Sequence, residues 1–302
     1  MKKQKPQFDS LFSLNERFPD DKSCREFLEK ARWSEKPICP HCKHDKVYRF
    51  SDGKLFKCAK CRKQFTVTVG TIFEDSHISL KKWFFAIYLI TAHKKGISSL
   101  QLSKDLKVTQ KTAWFILHRV RYAVKTKEFK APLGNIVEAD ETYIGGKKHK
   151  GKRGRGSENK TAVFGMVERQ GELFSIPVEN TKKATIQPII NSNVSSTATI
   201  MTDEWKAYIG LNKLFSGHNV VNHGQKEYVN GITHVNTIEG YWSLLKRGLI
   251  GIYHHVSPKH LHRYCNEFDY RYNTKELTDP QRFSKTLSIC KGRLEYKSLI
   301  KK

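Results

Sequence analysis

The chain has 302 residues, 38% of them hydrophobic and 11% aromatic, with 55 Lys and Arg against 29 Asp and Glu for a formal charge of +26. That composition excludes a disordered chain, and with no apolar run of about 18 residues it excludes a bilayer-spanning helix. So large a basic excess implies a polyanionic partner, most simply nucleic acid, with a membrane surface as the rival. The length allows two or three small domains. Residues 1–10, MKKQKPQFDS, carry no apolar stretch behind their lysines. No secretory signal is therefore expected, and the chain is placed in the cytosol.

Residues 1–36 read as a helical lead-in, in which Asp20 or Asp21 can cap a helix carrying Cys24, Phe27, Leu28 and Ala31. Residues 37–72 read as short strands, with SDGK at 51–54 marking a hairpin. Within them Cys39-Pro-His-Cys42 and Cys58-Ala-Lys-Cys61 form two CxxC knuckles with 15 residues between. Two such turns set four thiolates around one structural Zn²⁺ and leave no open coordination position for chemistry. A redox dithiol would need a βαβ context that is absent here. His41 and His44 are read as bystanders, and Cys24, Cys265 and Cys290 as plain buried or partly exposed thiols.

Residues 73–126 read as a helical DNA-binding region. In GISSLQLSKDLKVTQKTAWFILHRVRYAV, residues 96–124, Leu100, Leu102 and Leu106 mark a first helix, and Lys107-Val108 the turn. Thr109 can cap a second helix with Thr112, Ala113, Ile116 and Val120 and a basic edge at Arg119 and Arg121. The pattern suits a helix-turn-helix, although a plain packing hairpin has the same periodicity. The neighbouring ribbon and the net charge favour DNA. Gln110, Lys111, Thr112 and Trp114 are the positions that could face it, with core burial the other reading of Trp114.

Residues 126–134 look like a linker, and from 135 strands begin: NIVEADETYI, TAVFGMVER, GELFSIPVE and TATIMTDEW. Helices are expected at about 181–192, 204–212, 236–248 and 257–272. Residues 127–283 are thus read as an α/β domain and 284–302 as a basic tail. The run KKHKGKRGRG at 147–156 is a basic, glycine-rich loop; Lys147, Lys148, Lys152 and Arg153 could track phosphates or simply be solvated.

Three acids stand out. Asp140 shares a strand face with Glu138 by the period of two, where an acid is disfavoured without a partner or metal. Glu138 is an alternative ligand, whereas Glu141 should point away. Asp203 ends the strand TATIMTD where it could also be a helix N-cap. Glu239 lies beside the apolar stripe Ile238, Trp242, Leu245 and Leu249 of a helix. Two aspartates on neighbouring strands and a glutamate on a following helix can converge on hard divalent cations. Such cations serve phosphodiester attack.

The segments FPDDKSCREFLEKARW, CPHC with CAKC, VEADETYIGGK, TDEWKAY and HVNTIEGYWSLLKRGLIGIYHHVSPKHLHRYCNEFDYRYN together resemble the insertion-sequence transposases of the IS1595 type (ISXO2-like), a branch of the DDE superfamily. The resemblance implies a multidomain chain: a zinc ribbon and helix-turn-helix, then an RNase H-like catalytic core. It places the catalytic acids on Asp140, Asp203 and Glu239, binding Mg²⁺ or Mn²⁺. The family varies at the third position, so Asn236, one turn before Glu239, is kept as the alternative ligand or a neighbour of it. Lys246, two turns on, would hold a DNA phosphate or be a solvated lysine; His234, His254 and His255 match motif positions with DNA-contacting or structural roles. The implied activity is binding of terminal inverted repeats, cleavage to free 3′-hydroxyl ends and their transfer to target DNA. The implied assembly is a homodimer or larger oligomer on DNA, in the bacterial cytosol with the nucleoid. A non-catalytic DNA-binding relative and a nuclease without strand transfer remain the alternatives.

Overall fold

The computed structural model describes residues 8–34, 36–125, 131–145, 160–222, 231 and 233–301. The chain forms two compact units, residues 1–124 with 276–302, and residues 125–275.

The first unit opens with helices α1 (Leu11–Arg17) and α2 (Asp21–Trp33). Ser10 and Asp20 cap them, each accepting from the backbone N–H three residues on. The antiparallel strands β1 (Val47–Arg49), β2 (Leu55–Cys58) and β3 (Gln64–Thr66) form the ribbon. Asp52 Oδ1 accepts from the N–H groups of Lys54 and Leu55 and closes the first hairpin. Helices α3 (Leu80–Ala92), α4 (Ser99–Leu106) and α5 (Gln110–Ala123) follow. Lys107, in the left-handed conformation at φ 48°, ends α4, and Thr109 caps α5.

The C-terminal residues belong to this unit too. Helix α9 (Asp279–Ile289) places Phe283 among Phe18, Phe27 and Phe84, with ring centroids 5.5 Å apart from Phe84. Gly292 N–H donates to the Gly70 carbonyl, and α10 (Tyr296–Ile300) lies against α5 through Tyr296 and Phe115. The α/β domain therefore ends near residue 275, not 283, and residues 284–302 are not a free basic tail. The reason is burial: Phe283, Leu287, Leu294 and Leu299 each need a core, and the helices of the first unit supply it.

The second unit is a five-stranded mixed sheet with helices on both faces. Its strands are β4 (Ile136–Gly145), β5 (Lys160–Glu168), β6 (Leu173–Val178), β7 (Thr199–Asp203) and β8 (Gly217–Val221), in the order β6-β5-β4-β7-β8. The first three form an antiparallel meander, whereas β7 and β8 run parallel to β4. This is the RNase H-like arrangement. Strand alternation sorts the side chains. Val137, Ala139 and Ile200 pack on α6 (Lys183–Asn193), while Val163, Val167 and Met201 pack on α7 (Asn236–Gly251) and α8 (Pro258–Asn273). The helix expected at 204–212 is two short 3₁₀ turns, Lys206–Tyr208 and Leu211–Lys213. Gly210, at φ 98°, separates them. The edge strand β8, GHNVV, is mostly half-buried and lacks a clean apolar alternation.

Candidate active site and metal centres

The four cysteines come together. Cys39 Sγ lies 3.7 Å from Cys61 Sγ and Cys42 Sγ 3.6 Å from Cys58 Sγ, and all four sulfurs fall within 4.8 Å of one another. A tetrahedron with Zn–S bonds of about 2.3 Å has S···S edges of about 3.8 Å, so the donor set and its spacing fit Zn²⁺. Each knuckle is a local turn: Lys43 N–H donates to the Cys39 carbonyl, and Arg62 N–H to that of Cys58. Lys43 and Arg62 take positive φ to close these turns. Phe56 and Phe65, stacked 5.5 Å apart beneath the sulfurs, are the ribbon's own small core.

In the pair α4–α5, Gln110 and Lys111 are exposed at the start of α5 and Thr112 is half-buried. Trp114 is half-buried against the His118 ring, 4.3 Å between centroids. The basic edge expected at Arg119 and Arg121 is not on the surface: both are buried. Arg119 donates to the carbonyls of Ile72, Glu74 and Leu294, so it ties the helix to a loop and to the C-terminal segment. Lys111 Nζ sits 4.8 Å over the Tyr296 ring. Lys147, Lys148, Lys152 and Arg153 lie outside the described residues.

The acids are brought to one end of the sheet by register. β4 and β7 pair in parallel with Glu138 opposite Met201. Carrying that register two residues on sets Asp140 level with Asp203, both on the face that packs α7. Asp140 is partly buried, and its carboxyl is pushed up to about 7 by that burial, then by the charges of Glu141 and Asp203. Trp242 Nε1–H donates to Asp140 Oδ2 at 2.9 Å and pulls the other way. A concentration of negative charge with hard oxygen donors is what a divalent cation relieves. Asp203 Oδ1 also accepts from Trp205 N–H at 2.9 Å, so one of its oxygens shapes the turn after β7.

Glu239 and Asn236 are exposed in the first turn of α7, at three-residue spacing on the flank that continues to Trp242. Among the described residues only the cysteines gather three or more ligand groups within 4.8 Å. Asp140, Asp203 and Glu239 do not close to that distance as a set. Lys246 is half-buried and lines a cavity of about 340 Å³ with Tyr143, Leu249, His254 and His255. Glu141 faces the opposite side of the sheet from Asp140, where it accepts from Tyr208 Oη–H at 2.6 Å.

Glu138 is no free ligand. It is fully buried, and its two oxygens take Arg169 Nε–H at 2.7 Å, Thr237 N–H at 2.8 Å, Thr237 Oγ1–H at 2.9 Å and Ile238 N–H at 3.1 Å. His234 Nδ1 stands 3.3 Å from Oε1. The parity that put Glu138 on the face of Asp140 holds, but its lone pairs are already engaged.

Sequence reading did not single out Trp242 as the partner of Asp140, nor Gly165, which is paired with Asp140 across β4–β5. A Cβ on Gly165 would stand 2.6 Å from Trp242 Cη2, so the indole reaches Asp140 only because that position lacks a side chain. The available signal was a glycine inside a strand, which marks a close approach. Behind the site Asp269, Tyr241 and Ser175 form a buried hydrogen-bonded triad. Burial pushes the Asp269 carboxyl up to about 7 despite those bonds.

Residues 132–273 match the ISXO2-like transposase domain and residues 19–64 the transposase zinc-ribbon domain. The chain is 31% identical over 275 residues to an uncharacterized protein in transposable element ISH50 of Halobacterium salinarum, covering 84% of this chain and 91% of that protein. It is 26% identical over 106 residues to an uncharacterized transposase-like protein of Haemophilus influenzae, covering 35% of this chain and 85% of that one. A crystal structure of a pre-cleavage Mos1 transpososome aligns over 69% of this chain and 79% of its own, at 15% identity and a TM-score of 0.25, too low to carry any weight here.

Proposed function

The chain belongs to the ISXO2-like, IS1595-type transposase family, and on that footing we propose that it binds the terminal inverted repeats of its element and cuts and joins DNA at Asp140, Asp203 and Glu239. The reading is carried by the parallel pairing of β4 and β7, which puts Asp140 and Asp203 two residues past the last pair on the face that receives α7, close enough for the charge of Asp203 to act on Asp140. Hard oxygen donors fit Mg²⁺ or Mn²⁺, and Asp140, Asp203 and Glu239 are the residues that would hold them. When bound, such cations supply Lewis acidity that activates the attacking hydroxyl and stabilises the leaving oxygen.

The protein's own groups do the positioning. The sheet holds Asp140 and Asp203 on adjacent rigid strands. Trp242 Nε1–H occupies Oδ2 of Asp140 and orients the carboxylate. Lys246, seven residues after Glu239 on the same helix, would meet a phosphate along that face. The exposed Gln110 and Lys111 would enter the major groove, with Thr112 beside them. No helix among the described residues is long and apolar enough to cross a membrane. The polyanion that the charge of +26 implies is read as DNA on the strength of the transposase family. Two element ends must be held together for transfer, so the working form is proposed to be a dimer or larger assembly on DNA.

The test is cleavage and strand transfer on DNA carrying the element's own ends with Mg²⁺, comparing wild type, Glu239→Gln and Asn236→Ala. Loss of both steps in Glu239→Gln alone, with end binding kept, supports the triad. An active Glu239→Gln moves the third ligand elsewhere, with Asn236 first in line. Binding without cutting by the wild type favours a DNA-binding protein, and cutting without joining favours a nuclease.

A further inference from the structure

Helix α7 begins without a cap of its own. Its N-cap position is Val235, which has no side-chain oxygen, and no side-chain cap bond is made from within the segment. The first N–H groups of a helix carry partial positive charge and need acceptors. Here the acceptor comes from another element. Glu138 Oε2 receives the N–H groups of Thr237 and Ile238, the second and third residues of α7. Glu138 Oε1 receives Thr237 Oγ1–H and Arg169 Nε–H. Arg169 Nη2–H in turn donates to the carbonyl of His234, just before the helix, at 2.9 Å. One fully buried carboxylate is thus pinned by Arg169, just after β5, and by Thr237 and Ile238 in the first turn of α7.

The placement matters because of what is adjacent. Glu138 lies two residues before Asp140 on the same strand and face, a rigid step of about 7 Å. Glu239 directly follows Ile238, the last N–H that Glu138 holds. We propose that Glu138 is a positioning residue: by capping α7 across the sheet it sets the rotation and height of that helix, and so where Glu239 stands relative to Asp140 and Asp203. The proposal rests on the reading of those three acids as metal ligands. Asparagine or serine at position 235 would have capped the helix but left its register on the sheet free. A cap on β4 does both.

The experiment uses full-length protein, wild type, Asp140→Asn, Glu138→Gln and Glu138→Asp, each below the midpoint of its own thermal melt. Direct Mn²⁺ binding is followed by the electron paramagnetic signal of free Mn²⁺, and cleavage of end DNA is titrated with Mn²⁺. Glu138→Gln keeps the shape but loses the charge, and presents an amide to donors. Glu138→Asp keeps the charge but falls short by one methylene. The expected result is a Mn²⁺ requirement raised tenfold or more in Glu138→Gln, by both readouts, with a smaller rise in Glu138→Asp and with zinc content and end binding unchanged. A residue that only stabilised the fold would lower the melt and leave the Mn²⁺ requirement of the folded protein where it was, and that result would overturn the proposal. Wild type that neither binds Mn²⁺ more tightly than Asp140→Asn nor cuts would instead sink the underlying triad, whatever Glu138 does.

Discussion

The cysteine cluster and the proposed acid site of this chain are built in opposite ways. The four sulfurs of the ribbon come from two local turns joined by one hairpin, and they already stand at tetrahedral spacing. The three acids come from two strands and a helix spread over a hundred residues, and they do not close on one another. In the ribbon, metal and fold would be one object, because a core of Phe56 and Phe65, with Trp33, Val47 and Val69 against it, is too small to hold three short strands alone. In the α/β unit the sheet is held by apolar packing on both its faces, and the proposed site would be a passenger on that scaffold. A structural centre should fail by unfolding, a catalytic one by losing chemistry.

Zinc removal is the largest test of that contrast. Structural Zn²⁺ contributes on the order of 10 kcal/mol to the folding of small domains. Cys58→Ser, or a zinc-selective chelator, should melt the ribbon and abolish binding to end DNA. The α/β unit should keep its own cooperative transition, seen as a separate calorimetric peak. A ribbon that keeps its amide exchange protection without zinc would erase the distinction.

The acid site should answer differently. Asp203→Asn should leave the melt of the metal-free protein within about 1 kcal/mol of wild type, since the residue is partly solvated. It should lower cleavage by about a thousandfold or more, as loss of charge stabilisation at a reacting phosphate does. Wild type should gain about 2.7 kcal/mol of stability from Mn²⁺ at a hundred times its dissociation constant, and Asp203→Asn should gain far less. Equal stabilisation by Mn²⁺ in both would place the metal elsewhere.

The same contrast explains what could be read from the chain alone. CxxC spacing is local, so the ribbon was legible before any fold was known. The pair of aspartates was legible because Asp140 interrupts one apolar strand and Asp203 ends another, and strand parity gives their face. Glu138 was ambiguous because parity says which way a side chain points and nothing about what fills its lone pairs; Thr237 lies 99 residues away. Arg119 and Arg121 looked like a basic edge because helical periodicity cannot show that a C-terminal segment covers that side of α5. For the same reason the end of the α/β domain was set at 283: Phe283 completes an aromatic cluster whose other members lie more than 190 residues earlier. Tertiary partners, not local propensity, decided each of these.

The smallest expected effect bears on how the acid site is held. Gly165 faces Asp140 across the β4–β5 ladder, and its missing side chain is the space the Trp242 indole occupies. An added Cβ would meet Cη2 at 2.6 Å and Cζ2 at 2.8 Å, both in the rigid indole, and the Ile238 side-chain end, Cδ1, at 3.2 Å. Gly165→Ala must therefore shift the ring, and overpacking of this kind costs about 1–3 kcal/mol. The shift should lengthen the bond from Nε1 to Asp140, now 2.9 Å, and release that carboxylate from its set orientation. Cleavage should fall about tenfold, a drop on the scale that misplacement of catalytic groups produces, with end binding unchanged. Trp242→Phe removes the same hydrogen bond without crowding and should cost activity with a smaller loss of stability. If Gly165→Ala destabilises but cuts at the wild-type rate, the indole is only core and Asp140 is held by the strand alone. If both variants lose activity together, the orientation of Asp140 is set from α7, the helix that also carries Glu239, and strand and helix act as one unit.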